Sequence, residues 1–561
     1  MTITTEFLNI SGNVQIEHNP LPTFYNQCEP KGFFRLLPYA VLDRYTTQNS
    51  QIQRSVITLE NDYLRAQFLP ENGGRLYSLY NKEEKRELLL KPSTLHPTNA
   101  SSRNAYFSGG VSWNLTPDEH SPYSFDPVFF GKVECGAGYE FLRMYDYERT
   151  RGLLWQIDFH LPTNSKELYA HVAIHNPHDF PTPLYWWANL NVPETEKCRL
   201  FSSGESTTFA AARNEASYPH KLAEKFSFTF LQEPSSSHSW ITVTSAGTGT
   251  FLRSSAKIQA QKAIYTKDSF IELQAGGNAD MSDGWVIPAN ESISFTHAIG
   301  SIAFDENDAN YDSYDISHSI VKAMVNHTLP TEKLEQQELY FQQFTALPCS
   351  KMLSFGEGWG ALENMRRIFD KQPLLSESLI FPTESFTTQQ YEWLAIFNKT
   401  ELPELKGYQL PNAWLSDMNY LAHLQTYLAE FPNNVTALLF TGIIFYENHF
   451  TDQAIEAWTL ALEQEPLCVL LRNLAHASHA MGFTSEALSY MEQIKWQSQL
   501  NIDQTYLEEY FSLLIEDEQY QKMLDHYNRL PGKLQQCTNI NTQALHALVE
   551  LDTIDSLELE S

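Results

Sequence analysis

A change of hydrophobic pattern near residue 305 constrains the fold of this chain more than any other feature. Before it, short segments alternate apolar and polar residues between turns rich in Gly, Pro, Asn and Asp. In residues 153–161 five apolar side chains share one strand face: Leu153, Trp155, Ile157, Phe159 and Leu161. After residue 312, apolar residues recur at helical spacing, as at Ile320, Ala323 and Met324. Because each sheet must bury one face against another, we predict a large antiparallel β-sandwich followed by a helical region.

Composition and net charge limit which partners and which cellular compartment we expect for this protein. The 561 residues include 38 Lys and Arg against 68 Asp and Glu, a formal net charge of −30 with His neutral. Such a field repels phosphate backbones and anionic membrane surfaces, so nucleic-acid and membrane partners are not expected. The six cysteines are dispersed without a CxxC pair, and the first residues show no secretory signal. We therefore expect reduced thiols and a cytoplasmic protein.

Residues 416–561 contain a repeat. Gly442, Ala454, Trp458 and Pro466 fall where a tetratricopeptide repeat brings its two helices together, fills the gap between them and ends the second helix. A second unit from about Arg472 is imperfect and a third at 500–533 is degenerate; an ordinary array of α-hairpins is the alternative. Because two or three units are close to the minimum for a stable stack, we expect the tail to pack on the sandwich and to serve self-association or a protein partner.

Two motifs that suggest cofactor or metal chemistry favour structural interpretations. The segment 356–361 fits the GxGxxA dinucleotide fingerprint, but no βαβ unit surrounds it, so a Gly-rich helix start is favoured. His476 and His479 share a helix face without a third ligand, which favours a histidine-bearing repeat groove over a metal site. The chain also has no GxSxG sequence and no phosphate loop. We therefore predict no cofactor and no metal.

The segment 107–122 concentrates the residue types that a sugar site uses. Two glycines are followed within a few residues by Trp113, Asn114, Asp118, Glu119 and His120. A pyranose site needs an aromatic face for the C–H side of the ring, amides for its hydroxyls and a titrating group for its anomeric oxygen. A polar loop capped by a core tryptophan is the structural alternative, and the spacing alone leaves both open.

Two further segments offer matching groups on strands. Trp186 and Trp187 are adjacent and point to opposite faces of one strand, so at most one of them enters a cleft, while Asn189 adds an amide. In the segment 270–276, Glu272 and Gln274 alternate with apolar residues and so share a face. If that face lines a concave sheet, Glu272 is a general base; the alternative is the solvent face of a half-buried strand.

Taken together, these segments resemble a bacterial family of domains of unknown function, in which a galactose-mutarotase-like β-supersandwich is often followed by tetratricopeptide repeats. The resemblance covers most of the chain, and its short motifs keep their order and spacing. They are Leu21-Pro-Thr-Phe24, Leu69-Pro-Glu-Asn-Gly-Gly-Arg75, Ser108-Gly-Gly110, Trp113-Asn114, His120-Ser-Pro122, Tyr185-Trp-Trp-Ala-Asn189, Ile271-Glu-Leu-Gln-Ala-Gly276, Gly358-Trp-Gly-Ala-Leu-Glu363 and Arg472-Asn-Leu-Ala475.

The resemblance implies that the concave sheet binds carbohydrate, with Glu272 as the base and His120 as the acid of a mutarotase-like pair. The substrate-binding residues that it implies are Arg75, Trp113, Asn114, Trp186, Trp187, Asn189 and Gln274. One position departs from the family, which usually has a glutamate where this chain has Ser112. Glu119, in a lengthened loop, is expected to take over as a catalytic carboxylate, unless the site has a changed activity or none.

We predict a chain of four parts. These are an N-terminal extension (1–30), a galactose-mutarotase-like antiparallel β-supersandwich (31–310), a helical and aromatic connecting region packed on it (311–415) and tetratricopeptide-like helical repeats (416–561). The favoured function is a glycoside hydrolase that acts on an oligosaccharide in the concave face of the sandwich. An aldose 1-epimerase-like mutarotase and a non-catalytic sugar-binding or scaffold protein are the alternatives.

Overall fold

A computed structural model gives the fold of the chain. The residues that it describes are 1–19, 23–24, 36–39, 41–46, 48–98, 103, 106–115, 120–136, 139–206, 226–231, 238–256, 260–265, 270–276, 285–305, 313–494 and 504–560. The chain divides into two compact units, one ending at Tyr391 and the other beginning at Glu392. Within the described residues, no helix combines the length and the apolar character needed to cross a bilayer.

The first unit is built mainly from strands. In chain order, the first ten are β1 Thr2–Gly12, β2 Gln15–Asn19, β3 Thr23–Phe24, β4 Leu36–Leu37, β5 Val41–Tyr45, β6 Ser50–Glu60, β7 Leu64–Leu69, β8 Arg75–Asn81, β9 Arg86–Glu87 and β10 Thr94–Leu95. The next ten are β11 Val111–Asn114, β12 Phe129–Gly136, β13 Tyr139–Glu148, β14 Leu153–His160, β15 Glu167–His175, β16 Thr182–Leu184, β17 Trp187–Pro193, β18 Arg199–Ser202, β19 Glu205–Ser206 and β20 Phe226–Leu231. The others are β21 Ser239–Ser245, β22 Thr248–Ser254, β23 Ala260–Tyr265, β24 Phe270–Gly276, β25 Trp285–Ile287, β26 Ser292–Ala303 and β27 Lys351–Ser354.

Two large sheets account for most of these strands. A twelve-stranded sheet has the order β10-β1-β6-β7-β8-β11-β17-β24-β23-β20-β19, with β9 beside β8. A nine-stranded sheet has the order β18-β21-β22-β26-β15-β14-β13-β12-β27. The central strands of both sheets pair antiparallel. The antiparallel sandwich predicted from the alternating pattern is therefore confirmed.

An apolar core lies between the two sheets. It contains all five residues of the predicted strand face, four in β14 and Leu161 directly after it, each of them at most 1% exposed. Val111, Leu190 and Leu273 from the twelve-stranded sheet belong to the same cluster. Full burial of such a side chain is worth about 1.5–3 kcal/mol, so each strand is fixed with its apolar face inward and its alternate residues outward.

The sandwich extends beyond its predicted N-terminal boundary. Strand β1 pairs with β6 along its whole length, so residues 2–12 of the predicted extension belong to the twelve-stranded sheet. Most side chains of β1 are exposed, which explains why its alternation is too weak to read. Strand β27, from the connecting region, adds to the edge of the nine-stranded sheet beside β12. The remaining boundaries of the four-part division stay a prediction.

The helices lie after the sandwich, as predicted. They are α1 Tyr314–Thr328, α2 Thr331–Gln342, α3 Trp359–Phe369, α4 Tyr391–Asn398, α5 Leu421–Glu430, α6 Val435–Glu447, α7 Thr451–Gln464, α8 Cys468–Ala480, α9 Thr484–Gln493, α10 Gln504–Glu516, α11 Tyr520–Tyr527, α12 Gly532–Gln535 and α13 Thr538–Glu560. The 356–361 motif leads into α3, whose N-cap is Gly358. It therefore forms a helix start, as the structural interpretation predicted.

Helices α1 and α2 cover the outer face of the nine-stranded sheet. Val325 of α1 and Phe341 of α2 are fully buried in a second apolar cluster, together with Tyr169 of β15. The ring of Phe341 stacks on His171 at 5.0 Å between ring centroids. Arg143 of β13 also donates from Nη2 to the carbonyl of Phe344 at 3.3 Å. Residues 314–344 are thus an integral layer of the first unit.

The helical tail contains the predicted close helix packing. A side chain at Gly442 in α6 would overlap the indole of Trp458 in α7, and the Trp458 Nε1 donates to the carbonyl of Leu439 at 3.2 Å. In the next unit, Arg472 of α8 forms a two-pronged ion pair with Glu509 of α10, at 2.6 and 2.7 Å. These contacts hold neighbouring helices of the second unit together. Docking of the tail on the sandwich stays a prediction.

Candidate functional site

One face of the twelve-stranded sheet is polar over three neighbouring strands, β11, β17 and β24. The register places Ser112 opposite Asn189, Asn189 opposite Gln274, and Asn191 opposite Glu272. The alternate residues of the same strands lie in the core between the sheets: Val111, Trp113, Ala188, Leu190, Ile271 and Leu273. Strict alternation therefore puts the amides and the carboxylate on the face that points away from the core.

Glu272 is the centre of this polar face. Its Oε2 accepts hydrogen bonds from Tyr106 Oη at 3.0 Å and from Asn191 Nδ2 at 2.9 Å. Its Oε1 accepts from Gln274 Nε2 at 2.8 Å and from Asn189 Nδ2 at 3.4 Å. The side chain is 4% exposed. Four neutral donors thus hold a buried carboxylate in one orientation.

His120 and Arg75 complete the group around Tyr106. The imidazole of His120 stacks on the phenol ring at 3.7 Å between centroids. The guanidinium of Arg75 lies 5.5 Å from the Tyr106 centroid and 4.2 Å from that of Phe107. Among the described residues, His120 Nδ1 has no hydrogen-bond partner. The ring therefore keeps one polar atom uncommitted beside the carboxylate network.

Burial sets the protonation states of this group. Burial lowers the pKa of His120. The charge of Arg75 lowers this pKa further, whereas Glu272 raises it in part. Burial raises the pKa of Tyr106 well above its usual range, and Glu272 raises it further. Near pH 7 the site therefore combines a neutral imidazole and a protonated phenol beside the Glu272 side chain. A base and two hydrogen-bond donors within one cluster can support proton transfer to and from a bound substrate.

The paired glycines of the 107–122 segment form a turn that this network holds. Gly109 and Gly110 have φ of 108° and 69°, and a side chain at Gly110 would overlap the carbonyl of Leu76. Arg75 Nη1 donates to the Gly109 carbonyl at 2.6 Å, and the Gly109 amide donates to Asn191 Oδ1 at 2.5 Å. The turn thereby links the guanidinium to the amide that holds Glu272.

Asn114 positions the loop that carries His120. Its Oδ1 accepts from the Ser121 amide at 2.7 Å, and its Nδ2 donates to the Trp187 carbonyl at 3.4 Å. The Ser121 hydroxyl in turn accepts from the Leu115 amide at 3.1 Å. Asn114 is fully buried. Its place in the structure is therefore that of a support for the loop, in addition to any contact with a substrate.

Two of the tryptophans predicted to bind substrate lie elsewhere. Trp113 and Trp186 are 2% and 1% exposed, stack on each other at 6.3 Å and belong to the core between the sheets. Trp113 has the core-facing parity of β11, and Trp186 lies in the core just before β17 begins. Packing therefore explains both residues, and the prediction that they bind substrate needs correction. Trp187 alternates with Asn189 on the polar face. Trp187 is itself only 6% exposed, so its contact with a substrate stays a prediction.

The carboxylate expected to compensate for Ser112 lies outside the described residues. Glu119 and Asp118 both fall in the segment 116–119, so the compensation stays a prediction. Ser112 itself is buried on the polar face, opposite Asn189, and its hydroxyl accepts from Asn114 Nδ2 at 3.3 Å. A hydroxyl therefore stands where the family resemblance implies a carboxylate.

Two residues of this site were missed by the sequence reasoning. Asn191 repeats the parity of Asn189 on the same strand, so the period-two pattern could have identified it. Tyr106 forms a single bridge pair with Thr98 outside the long strands. No sequence pattern predicts its approach to Glu272, which is 166 residues away along the chain.

A buried ion cluster lies at the other end of the His120 loop. Arg103 Nη1 contacts Asp126 Oδ2 at 2.5 Å, and Arg149 lies between the rings of Tyr39 and Trp359, at 3.9 and 4.3 Å. Glu357 accepts from Trp359 Nε1 at 3.1 Å and from Gln389 Nε2 at 2.9 Å. Burial, followed by the charge of Asp126, raises the pKa of Glu357 to about 7.

Comparisons with known proteins agree with this architecture. A family described as a domain of unknown function, DUF5107, matches residues 31–233. A TPR-domain containing protein from Parabacteroides distasonis is 15% identical, with 99% of this chain and 91% of that chain covered and a TM-score of 0.70. This likeness confirms the fold of the chain, a sandwich followed by a helical region.

Smaller proteins match the first part of the chain. A galactose mutarotase-like protein from Clostridium acetobutylicum is 11% identical, covering 45% of this chain and 96% of its own, with a TM-score of 0.35. One from Lactobacillus casei is 10% identical, covering 44% and 99%, with a TM-score of 0.32. The resemblance of the motifs to a family of domains of unknown function is confirmed by the DUF5107 match at residues 31–233.

Proposed function

We propose that this protein is a carbohydrate-active enzyme that carries out acid–base chemistry at the anomeric carbon of an uncharged sugar. One observation carries the proposal. The Glu272 carboxylate is fixed on a polar sheet face by three amides and the Tyr106 phenol, and that phenol stacks on a neutral His120. This supplies a base and proton donors within a network rich in amides, which suit sugar hydroxyls.

Interconversion of sugar anomers needs no more than these groups. The base accepts the proton of the C1 hydroxyl while an acid protonates the ring oxygen, and the bond between C1 and that oxygen breaks to give the open-chain aldehyde. Reclosure on the other face of the carbonyl, with the two proton transfers reversed, gives the second anomer. Glu272 would serve as the base, and the Tyr106 phenol or the protonated fraction of His120 as the proton donor. An aldose 1-epimerase-like reaction is therefore the one that the described residues support best.

Glycoside hydrolysis is the second candidate, and a sequence observation favours it. Most glycoside hydrolases use two carboxyl groups on either side of the bond that they break. Asp118 and Glu119 directly precede His120 in the chain, so the sequence offers two further carboxylates for this role. Hydrolysis therefore requires Glu119 or Asp118 to complete the site, whereas anomer exchange does not.

A non-catalytic sugar-binding role is the third candidate. All four hydrogen bonds to Glu272 come from the protein itself, and a carboxylate so well satisfied gives up part of this network when it acts as a base. Sugar binding without turnover would leave the network intact. Sugar binding without turnover differs from catalysis in the rate at which the sugar is converted, and this rate can be measured directly.

Two assays on the purified chain separate these candidates. In the first, freshly dissolved α-D-glucose and α-D-galactose are followed by polarimetry; in the second, neutral oligosaccharides are screened for release of reducing ends. Faster approach to anomeric equilibrium without new reducing ends supports the epimerase. New reducing ends support the hydrolase, and binding without either supports the non-catalytic role. The matched variants are Glu272→Gln and, as a control at an exposed carboxylate, Glu83→Gln. If no sugar is bound or changed, the proposal is wrong.

A further inference from the structure

A cavity of about 430 Å³ lies on the outer face of the nine-stranded sheet, in the first unit. Its floor is a grid of two residues on each of three neighbouring strands, which the register places directly opposite one another: Leu154, Gln156, Ala173, His175, Ser292 and Ser294. Its walls come from the chain just after α2 and from the segment 375–379. The cavity is therefore bounded by regular strands on one side and by the connecting region on the other.

Small side chains in the floor create this hollow. Further along β15 on the same outer face, His171 is covered by the ring of Phe341, and Tyr169 lies in the same buried cluster. At the grid, Ala173 lies opposite Gln156 on one side and Ser294 on the other. The layer formed by Phe341 and Tyr169 ends there, and the floor has the small side chains of Ala173 and Ser294 at that point. The volume lies in the range of about 300–1,000 Å³ that is typical of small-molecule sites.

The lining combines apolar side chains with hydroxyls and amides, and it carries no formal charge. None of the described residues that line the cavity is Asp, Glu, Lys or Arg, although 19% of the chain consists of these residues. Hydroxyls and amides come from the floor, from Gln342 and Thr345, and from Ser376 and Ser378. His175 Nδ1 lies 2.9 Å from the Ser292 hydroxyl, and burial lowers the pKa of this histidine, so its ring is neutral near pH 7.

This chemistry selects one class of ligand. A charged ligand would lose its hydration here without meeting an opposite charge. A purely apolar ligand would displace water from the hydroxyls and amides of the lining without offering them a hydrogen bond. An uncharged molecule with several hydroxyls avoids both costs, since each hydroxyl can donate and accept a hydrogen bond.

We propose that this cavity is a second binding site, for an uncharged, hydroxyl-rich small molecule of mono- or disaccharide size. The site is separate from the polar face around Glu272, because its floor belongs to the other sheet. It therefore does not depend on the function proposed for Glu272. A protein with both sites would bind such molecules at two places.

Titration of the intact chain with defined probes tests this proposal. The neutral probes are D-glucose, D-galactose, maltose and cellobiose, and glucose 6-phosphate is the charged counterpart of the first; binding is measured by calorimetry and by ligand-observed NMR. Ala173→Phe and Ser294→Phe each fill the floor of the cavity with a ring, whereas Val286→Phe adds the same ring at an exposed strand position. We expect at least one neutral probe to bind, with affinity reduced at least tenfold in each filled variant and unchanged in Val286→Phe.

Several results would overturn the proposal. These are the failure of all four neutral probes to bind, equal affinity for glucose and glucose 6-phosphate, or unchanged affinity in a filled variant that melts like the wild type. Binding that Glu272→Gln abolishes and the filled variants leave intact would belong to the polar face and would equally contradict a site in the cavity. Two positions are filled independently so that poor folding of one variant leaves the other to decide.

Discussion

Tyr106 donates a 3.0 Å hydrogen bond to Glu272 from a position 166 residues earlier in the chain. The same phenol ring stacks on His120, so one side chain connects the candidate base with the candidate acid. A hydrogen bond from a neutral donor to a charged group contributes about 1.5–3 kcal/mol to stability. A substitution at Tyr106 therefore tests the proposed roles of Glu272 and His120 without removing either side chain.

Tyr106→Phe should impair the site while leaving the stack on His120 in place. The variant removes one donor from Glu272, and we expect turnover to fall roughly tenfold to a thousandfold, since positioned proton-transfer groups contribute about 10²–10⁴. The matched control is Tyr123→Phe, which removes the 3.2 Å bond from another buried phenol to the Trp113 carbonyl. Equal turnover losses in the two variants would indicate a general packing effect and contradict a specific role for Tyr106.

Asn191→Asp should make stability depend on pH at the site. Asn191 Nδ2 lies 2.9 Å from Glu272 Oε2, so the substitution exchanges a donor for a second buried carboxylate. Two carboxylates at this distance cannot both ionise cheaply, and one pKa must rise. We expect the free energy of unfolding, measured with urea, to fall by about 2–4 kcal/mol at pH 8 and by less at pH 5. A loss that is the same at both pH values would show that Asn191 and Glu272 are not in contact.

Three buried histidines should make the first unit sensitive to acid. Burial lowers the pKa of His160 and His171 to about 4 and that of His297 to about 3. Between pH 6.5 and these values the unfolded chain takes up protons that the folded chain does not, so the free energy of unfolding falls as the pH falls. Each group contributes at most about 1.4 kcal/mol per pH unit. His297→Gln should flatten this dependence; an unchanged slope would mean that His297 titrates normally in the fold.

Glu357 should act in the opposite direction. Its pKa is raised to about 7 in the fold, so as the pH rises above about 4.5 the unfolded chain loses a proton that the folded chain retains. Its contribution to stability is therefore full at low pH and is lost as the pH rises through 7. We expect Glu357→Gln to gain stability relative to the wild type between pH 5 and pH 8, and the exposed Glu384→Gln to show no such trend. If Glu357→Gln instead lost stability relative to the wild type between pH 5 and pH 8, the pKa of Glu357 would not be raised in the fold.

Gly442→Ala should destabilise the helical tail. The added methyl would overlap the indole of Trp458, and overpacking of a filled interior typically costs about 1–3 kcal/mol. Gly532→Ala is the matched control, because it adds the same group to a helix where nothing lies within 4 Å of the new carbon. Thermal unfolding should therefore show a lower melting temperature only for the first variant. Equal melting temperatures would mean that α6 and α7 do not pack through these two residues.

The sequence was sufficient to predict the architecture because periodicity reports burial directly. The five alternating apolar residues in 153–161 and the small residues at Gly442 and Ala454 each follow from local geometry. Strand β1 was missed because its side chains are mostly exposed and carry little apolar pattern. Boundaries were therefore predictable only where a face is buried.

The candidate site was predictable only in part. Strand alternation shows which residues share a face, but contacts between segments that are distant in the sequence leave no local pattern. Glu272, Gln274 and Asn189 share a face because they alternate with core residues, and this alternation is visible in the sequence. Trp113 was assigned to the site on residue type, although its neighbours Ser112 and Asn114 have the opposite parity and occupy the polar face. The contact between Tyr106 and Glu272 joins distant segments and has no local signature.

Anomer exchange by the wild type and by Glu272→Gln tests the central claim most directly. The exchange rate between the α- and β-anomers of D-glucose and D-galactose can be followed by NMR at pH 7, with Glu83→Gln as the control and melting temperatures recorded for all three proteins. The account predicts that the wild type and Glu83→Gln accelerate exchange of at least one sugar, and that Glu272→Gln lowers this acceleration at least a hundredfold while melting at nearly the same temperature. Equal acceleration by a folded Glu272→Gln protein would contradict the assignment of Glu272 as the base.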